Sequence, residues 1–291
     1  MSYTSADLLS AIERRSFAPS NQSTFSTTEI LALANEETQS LILPAILSVR
    51  EEFFVTQSEI TITATQSSYD VPARAIGLIV REVQLVNSSG SYKDIPRIEP
   101  EDVRTSQTGS PTAFYMKGNS IVLYPTPSST QDTLRVSYFI APGSLIETSS
   151  GAVISAINTT TNVVTVSTIP STWVTGNTFD LLNAKGGQEY KGTDLTSTLV
   201  SGADITFTTL PSNLAVGDYV SIAETSPLVQ LPPNFRPVLA QAVASRMLQS
   251  MNQPGADDAM RQLDKVMQAA IKMITPRVVG EDRVLLPNNW F

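Results

Sequence analysis

The residues able to do chemistry are few, and their spacing does not suit it. The 291-residue chain contains neither His nor Cys. That removes the Ser-His-Asp arrangement, the usual general base near neutral pH, the commonest metal ligand and all thiolate reactions. It also leaves no disulfide to staple the fold. Carboxylates remain, as the adjacent pairs Glu36-Glu37, Glu51-Glu52, Glu101-Asp102 and Asp257-Asp258. A glycosidase needs two carboxylates about 5–9 Å apart across a cleft. Neighbours along a helix do not face each other, so these pairs read as solvated faces and helix starts. Asp204 and Asp218 stand singly in turns, without the ligand spacing of a calcium loop. Lys185-Gly186-Gly187 lacks the spacing and the Gly-Lys-Ser/Thr ending of a phosphate loop, and reads as a turn. Trp173 is a candidate sugar platform, with Asp180 or Glu189 as its acid, but no matched acid and base accompany it. The plainer reading is a core Trp. No catalytic residue, cofactor or metal site is assigned.

Charge narrows the partners. Hydrophobic residues make up 41% and charged residues 16%, against about a quarter charged in ordinary soluble chains. Ser and Thr supply much of the missing polarity, a mix suited to β-structure and to surfaces buried between subunits. Low hydrophobicity with high net charge would mark disorder, and neither holds here. The net charge is −8. Binding to DNA irrespective of sequence rests on Lys and Arg against phosphate, so the chain is a poor DNA clamp. An acidic surface could still line a passage for DNA without gripping it; ordinary solubility is the plainer explanation of the charge. Arg14 with Arg15 and Arg277 with Arg283 are the basic groupings, and neither is interleaved with stacking aromatics. Arg277 and Arg283 read as anchors of an extended tail against an acidic neighbour. The start, MSYTSADLLSAIERR, lacks a basic region followed by an apolar core. No stretch approaches the roughly 20 apolar residues of a membrane span.

The elements that carry these residues fall into three zones. Thr4 or Ser5 can cap a first helix bearing Leu8, Leu9, Ala11 and Ile12, which ends at Arg14 and Arg15. Ser26-Thr27-Thr28-Glu29 is a capping box opening a second helix with Ile30, Leu33, Ala34, Leu41 and Ile42 at helical spacing. Pro44 either kinks that helix or starts a new one, with helix continuing to about Phe53. From Ser58 the period changes to two. Strands are expected at Ile60–Ile62, Leu78–Val86, Tyr92–Ile95 and Leu134–Ile140, with a clear hairpin from Phe114 to Tyr124 around Lys117-Gly118-Asn119. Residues 145–226 form a Thr-, Val-, Ser- and Gly-rich block of short strands, which reads as a small all-β barrel or sandwich inserted between Pro142 and Pro227. No repeat is visible in it. Helical spacing returns with Val238, Leu239, Ala242, Val243 and Met247. After Gln253-Pro254-Gly255 it resumes with Met260, Leu263, Val266, Met267, Ala270, Ile271 and Ile274. The short turn implies an antiparallel helical hairpin.

The expected fold class is therefore α+β. A helical bundle is built from the N- and C-terminal segments, with a central antiparallel β region and an inserted all-β module. The divisions are 1–57 for the N-terminal helices, 58–144 for the β-hairpin region, 145–226 for the module, 227–275 for the C-terminal hairpin and 276–291 for an extended tail. Leu239, Val243, Met247, Leu263, Met267 and Ile271 are the subunit-packing residues. Pro276, Arg277, Arg283, Leu285, Leu286, Trp290 and Phe291 are the partner-binding tail. Burying its two terminal aromatics is worth roughly 3–5 kcal/mol.

The ordering carries a resemblance. Tyr69-Asp70-Val71-Pro72 and Ala75-Ile76-Gly77 are followed by Pro111-Thr112-Ala113-Phe114-Tyr115 and then by Gly118-Asn119-Ser120-Ile121-Val122-Leu123-Tyr124-Pro125-Thr126-Pro127. This hairpin is similar to one that recurs in the head-to-tail connector, or adaptor, proteins of tailed bacteriophages. The likeness covers residues 26–140 and the C-terminal helices but not the block at 145–226, which looks like an added module. The resemblance implies a virion neck protein, not an enzyme and without cofactors. Such a subunit assembles with itself, typically as twelve copies, into a ring below the portal protein and beside other neck or tail proteins. DNA passes through the channel without sequence-specific binding, and no membrane is involved. A tail tube, baseplate or receptor-binding fibre protein is the alternative, and a carbohydrate-active virion enzyme a more distant one.

Overall fold

The structure, a computed structural model, describes residues 2–16, 24–103, 107–130, 132–185, 189–253 and 255–275. The chain is mixed α and β and divides into two compact units. One gathers Ala6–Arg50 with the residues from Pro232 on. The other holds Met1–Ser5 and Glu51–Leu231.

The first unit is helical. Helix α1 (Ser5–Ser16) buries Leu8, Ala11 and Ile12, the i, i+3, i+4 set that defines one face. Arg14 and Arg15 fold back to donate to the carbonyls of Ser10 and Ala11 at 3.1 and 3.0 Å, so the cations sit at the negative end of the helix dipole. Helix α2 (Thr27–Glu37) opens on the expected capping box. The Glu29 N–H donates to Ser26 Oγ at 3.2 Å, and the Ser26 N–H donates to Glu29 Oε2 at 2.7 Å.

Pro44 starts a new helix, the second of the two expected outcomes, through a π-helical turn that the pattern did not foretell. The ladder widens to a π-helical turn over Thr38–Ile42, in which the Leu43 N–H reaches the Thr38 carbonyl. Helix α3 (Leu43–Leu47) then begins with Pro44 in its first turn, where the missing N–H costs nothing. Helix does not continue to Phe53: α3 ends at Leu47, and Glu51–Phe54 is a 3₁₀ turn.

Helix α4 (Arg236–Ser250) starts with Pro237 in its first turn. Helix α5 (Ala256–Ile274) follows Gly255, whose φ of 98° is left-handed and favours glycine. Helix α2 packs on α4, and α4 on α5. Glu37 bonds Arg246 at 3.1 Å, and Gln241 Nε2 donates to the Ala259 carbonyl at 3.2 Å.

Among its described residues the second unit begins with nine strands. They are β1 (Val55–Thr61), β2 (Ser68–Asp70), β3 (Ala75–Val86), β4 (Tyr92–Asp94), β5 (Thr108–Gly109), β6 (Ala113–Lys117), β7 (Ser120–Tyr124), β8 (Thr126–Pro127) and β9 (Thr133–Ile140). One antiparallel sheet runs β1-β9-β3-β4, a second runs β2-β7-β6, and β5 pairs with β8 in parallel. Strand β1 starts at Val55 rather than Ser58, because Val55 pairs with Phe139 at the far end of β9. The Phe114–Tyr124 hairpin forms as expected, with Gly118 at φ 58° in its turn. Alternation along β9 turns Leu134, Val136, Tyr138 and Ile140 into one core with Ile121 and Leu123 of β7. On the other face, Glu59, Arg135, Gln84 and Asp94 form a cross-strand row.

The Thr- and Ser-rich block is a closed barrel and not a sandwich. The chain enters on β10 (Ser144–Leu145) and leaves on β17 (Thr225–Ser226), and these two pair in parallel. Between them lie β11 (Ala152–Asn158), β12 (Val163–Val166), β13 (Thr178–Leu182), β14 (Tyr190–Ser201), β15 (Asp204–Phe207) and β16 (Tyr219–Ile222). They close in the order β11-β12-β15-β14-β13-β16. The barrel has its own core around Trp173, Phe179 and Phe207, and closure leaves it no free edge.

Candidate functional site

The residues first considered for chemistry are dispersed. Glu36, Glu51, Glu52, Glu101, Asp102, Asp257 and Asp258 are all exposed. Glu37 is committed to Arg246, and Glu51 lies 3.5 Å from Arg81. Trp173 is 4% exposed and stands edge-on to Phe179, their centroids 4.9 Å apart. It is a core residue and not a sugar platform. Asp204 accepts from Thr165 Oγ1 at 2.7 Å. Asp218 takes the N–H groups of Ala184 and Ala215 and pairs with Lys191 at 2.7 Å. Glu189 is exposed and accepts from Asn183. Among the described residues no group of three or more acidic side chains could hold a metal ion. Gly186 and Gly187 lie outside the described residues.

The structure does assemble one polar cluster, at a place the sequence did not disclose. Asp180 is fully buried in the apolar run Phe179-Asp180-Leu181-Leu182 of β13. Its carboxylate accepts from Arg74 Nη1 at 2.9 Å and from the backbone N–H groups of Asp194 and Glu224, each at 3.0 Å. Both Asp194 and Glu224 hold left-handed φ, 55° and 65°, so this one side chain satisfies two strained turns. Arg74 lies 4.7 Å over the Tyr190 ring. The Tyr190 hydroxyl donates to Gln230 Oε1 at 2.9 Å, and the Gly143 N–H donates to the same oxygen at 2.7 Å. Burial pushes the Asp180 carboxyl up from its usual value, against the pull of Arg74 and the two backbone donors. Burial opposes the charge of Arg74 too, but Tyr190, Asp180 and Asp194 outweigh it and hold the guanidinium above its ordinary value. Burial pushes the Tyr190 phenol up to about 12. The cluster ties the turn before β3 to the barrel wall. Arg74 pairs through Nη1 with Asp180 at 2.9 Å and Asp194 at 3.6 Å, while Arg74 Nη2 and Gln230 Nε2 are buried without a hydrogen-bond partner.

The residues expected to meet partners separate into groups. Leu239, Val243 and Met247 of α4 are at most 1% exposed, completely enclosed within their own chain. Leu263, Met267 and Ile271 of α5 are half-buried. Beside them Met260 is 43% and Met273 65% exposed. Pro276, Arg277, Arg283, Leu285, Leu286, Trp290 and Phe291 lie outside the described residues. The described helices include none long and apolar enough to cross a membrane.

Residues 3–177 match the family of the SU10 adaptor protein, and the chain belongs to that family of bacteriophage structural adaptors. No curated protein matches the chain. The match bears out the resemblance carried by the hairpin, but its bounds differ from those expected. It begins before the first helix and runs through β11 and β12 to Asn177. The first part of the barrel therefore falls within the family region and is not simply an addition to it. Helices α4 and α5 lie beyond the matched residues.

Proposed function

We propose that this chain is a non-catalytic head-to-tail adaptor that assembles with copies of itself into a ring between the portal and the tail, around the DNA channel. The observation that carries this reading is the family match over residues 3–177. The α5 stripe supports it. A helix whose apolar face is only half covered gains by burial against another surface, at about 25 cal/mol per Å² of apolar area removed from water. In this reading the helices of the two chain ends form a bundle, and Leu263, Met267 and Ile271 with Met260 and Met273 lie at a contact between subunits. Residues 276–291 are the tail that reaches the portal, with Arg277 and Arg283 on acidic groups and Trp290 and Phe291 as apolar anchors. The net charge of −8 suits a passage that DNA traverses without being held. Twelve is the copy number typical of such rings.

The test mixes purified protein with portal protein and reads native mass and particle images. A large ring is expected, and deletion of 276–291 should leave a folded subunit that no longer attaches. A protein that stays monomeric beside its portal would overturn the reading. Unchanged attachment after the deletion would remove the tail from it.

A further inference from the structure

The barrel maps onto itself when β11 exchanges with β14, β12 with β15 and β13 with β16, since every neighbour relation in its strand order survives the exchange. The correspondence holds residue by residue, at an offset of 41 positions from β12 onward (166 to 207, 176 to 217) and 43 in the strand before (154 to 197). The Val166 N–H donates to the Ala203 carbonyl, and the Phe207 N–H donates to that of Asn162. The Gly176 N–H reaches Ser197 O, and the Gly217 N–H reaches Ile154 O. In return the Ser197 N–H bonds Asn177 O, and the Ile154 N–H bonds Asp218 O. Each pair is one bond seen from the two halves. Even the irregularities agree. Register slips at Ser155 in β11 and at Thr198 in β14, and each bulge hydroxyl donates to the facing strand, Ser155 to Thr165 O and Thr198 to Thr206 O.

The sequence follows the same rule once the register is known. The loop Thr168-Ile169-Pro170-Ser171-Thr172-Trp173-Val174-Thr175-Gly176 corresponds to Thr209-Leu210-Pro211-Ser212-Asn213-Leu214-Ala215-Val216-Gly217. Gly176 and Gly217 share the left-handed region, at φ 91° and 93°. Core positions keep their class: Val164 with Ile205, Val166 with Phe207, Trp173 with Leu214. A two-fold relation of this kind, in which i meets j and j meets i, is the signature of an isologous dimer.

We infer that the barrel is a tandem duplication, two copies of one hairpin–loop–strand unit that close together as a homodimer joined in a single chain. The family match ends at Asn177, at the end of the first copy's loop, so that copy's last strand β13 and the whole second copy lie beyond it. The copies diverge on the two-fold axis. There Asp180 pairs directly with Ser221, positions that a perfect duplicate would fill identically. Asp180 has become the buried seat for Arg74, whereas the Ser221 hydroxyl donates to the Thr225 carbonyl at 2.6 Å. One copy thus carries the charge that seats the barrel on the sheet region.

The decisive experiment exchanges Thr168–Gly176 with Thr209–Gly217 in the full chain, leaving Asn177 and Asp218 in place. Two interchangeable frames predict a barrel that still melts cooperatively, within about 5 °C of the parent, while shuffling the residues within each loop abolishes it. An exchanged barrel that does not fold, or a shuffled one that folds as well, would overturn the duplication. For the seat, the double variant Arg74→Met with Asp180→Ser removes both charges at once. Hydrogen exchange should then quicken in β10 and β17 while the barrel strands keep their protection. Loss of protection throughout the barrel, or no change in β10 and β17, would show that Asp180 does not serve to seat it.

Discussion

Helices α4 and α5 are consecutive, joined by a short turn, and alike in their supply of Leu, Met and Ala, yet they are buried in different ways. Helix α4 is enclosed on most sides: Val238, Leu239, Ala240, Ala242, Val243, Ala244, Ser245 and Met247 are all buried. Helix α5 encloses only Ala270 and Ile274. The cause is the arrangement of apolar residues, not their number. Those of α4 run round the helix, with alanines that let neighbours approach. Those of α5 keep to one stripe, with Asp257, Arg261, Asp264, Lys265 and Lys272 elsewhere. A helix apolar all round belongs to the core. A helix with a single stripe holds its core with part of that stripe and leaves the rest half-buried or exposed.

This contrast can be broken at several points. The largest effect is expected in α4. Met247→Ala should destabilise the helical unit by about 2–5 kcal/mol, read from denaturant unfolding. Next comes the start of α2, which packs on α4. Ser26→Ala should cost about 1 kcal/mol. Its acid partner adds a pH signature. The hydrogen bonds from the Ser26 backbone and hydroxyl hold the Glu29 carboxyl below its usual value. The folded state therefore binds that proton less readily than the unfolded chain. The stabilisation is complete above the unfolded value and fades as pH falls through the lower, folded one. Measured against the intrinsic rate at each pH, protection of the Glu29 amide should fall over that acidic range, and Glu29→Gln should flatten the response. The smallest effect on the isolated chain is expected at Met273. Met273→Ser should change stability by no more than about 0.5 kcal/mol while weakening self-association in sedimentation. A loss as large as that of Met247→Ala would erase the distinction between the helices.

What the sequence disclosed and what it hid follow from how local each signal is. The Ser26–Glu29 box spans one helical turn, the Lys117-Gly118-Asn119 turn a few residues, and both were legible. The β-block showed short strands, but closure depends on β11 meeting β16, which no local pattern records. The π-helical turn at Thr38–Ile42 is a response to Pro44 that periodicity cannot distinguish from a kink. Arg74 and Asp180 are separated by 106 positions; the one clue was a carboxylate inside an apolar strand. The internal repeat is hard to see in the sequence because only Thr165, Thr168, Pro170, Ser171 and Gly176 recur unchanged between residues 163–182 and 204–223. At the core positions the copies keep hydrophobic class, and the hairpin turn differs by two residues. Leu239, Val243 and Met247 of α4 and Leu263, Met267 and Ile271 of α5 share one composition and differ in burial, which composition alone does not give.

The parallel contact of β10 with β17 has a consequence for how such a chain can change. At Gly143 the incoming backbone runs so close to the outgoing one that an added Cβ would lie 3.0 Å from the Thr225 carbonyl carbon. The ends of the intervening segment therefore almost touch, and a loop of a few residues could bridge them without distorting what it joins. Excision or replacement of the whole segment is geometrically a single small step, available to a lineage under pressure and to a protein engineer who wishes to graft another module there.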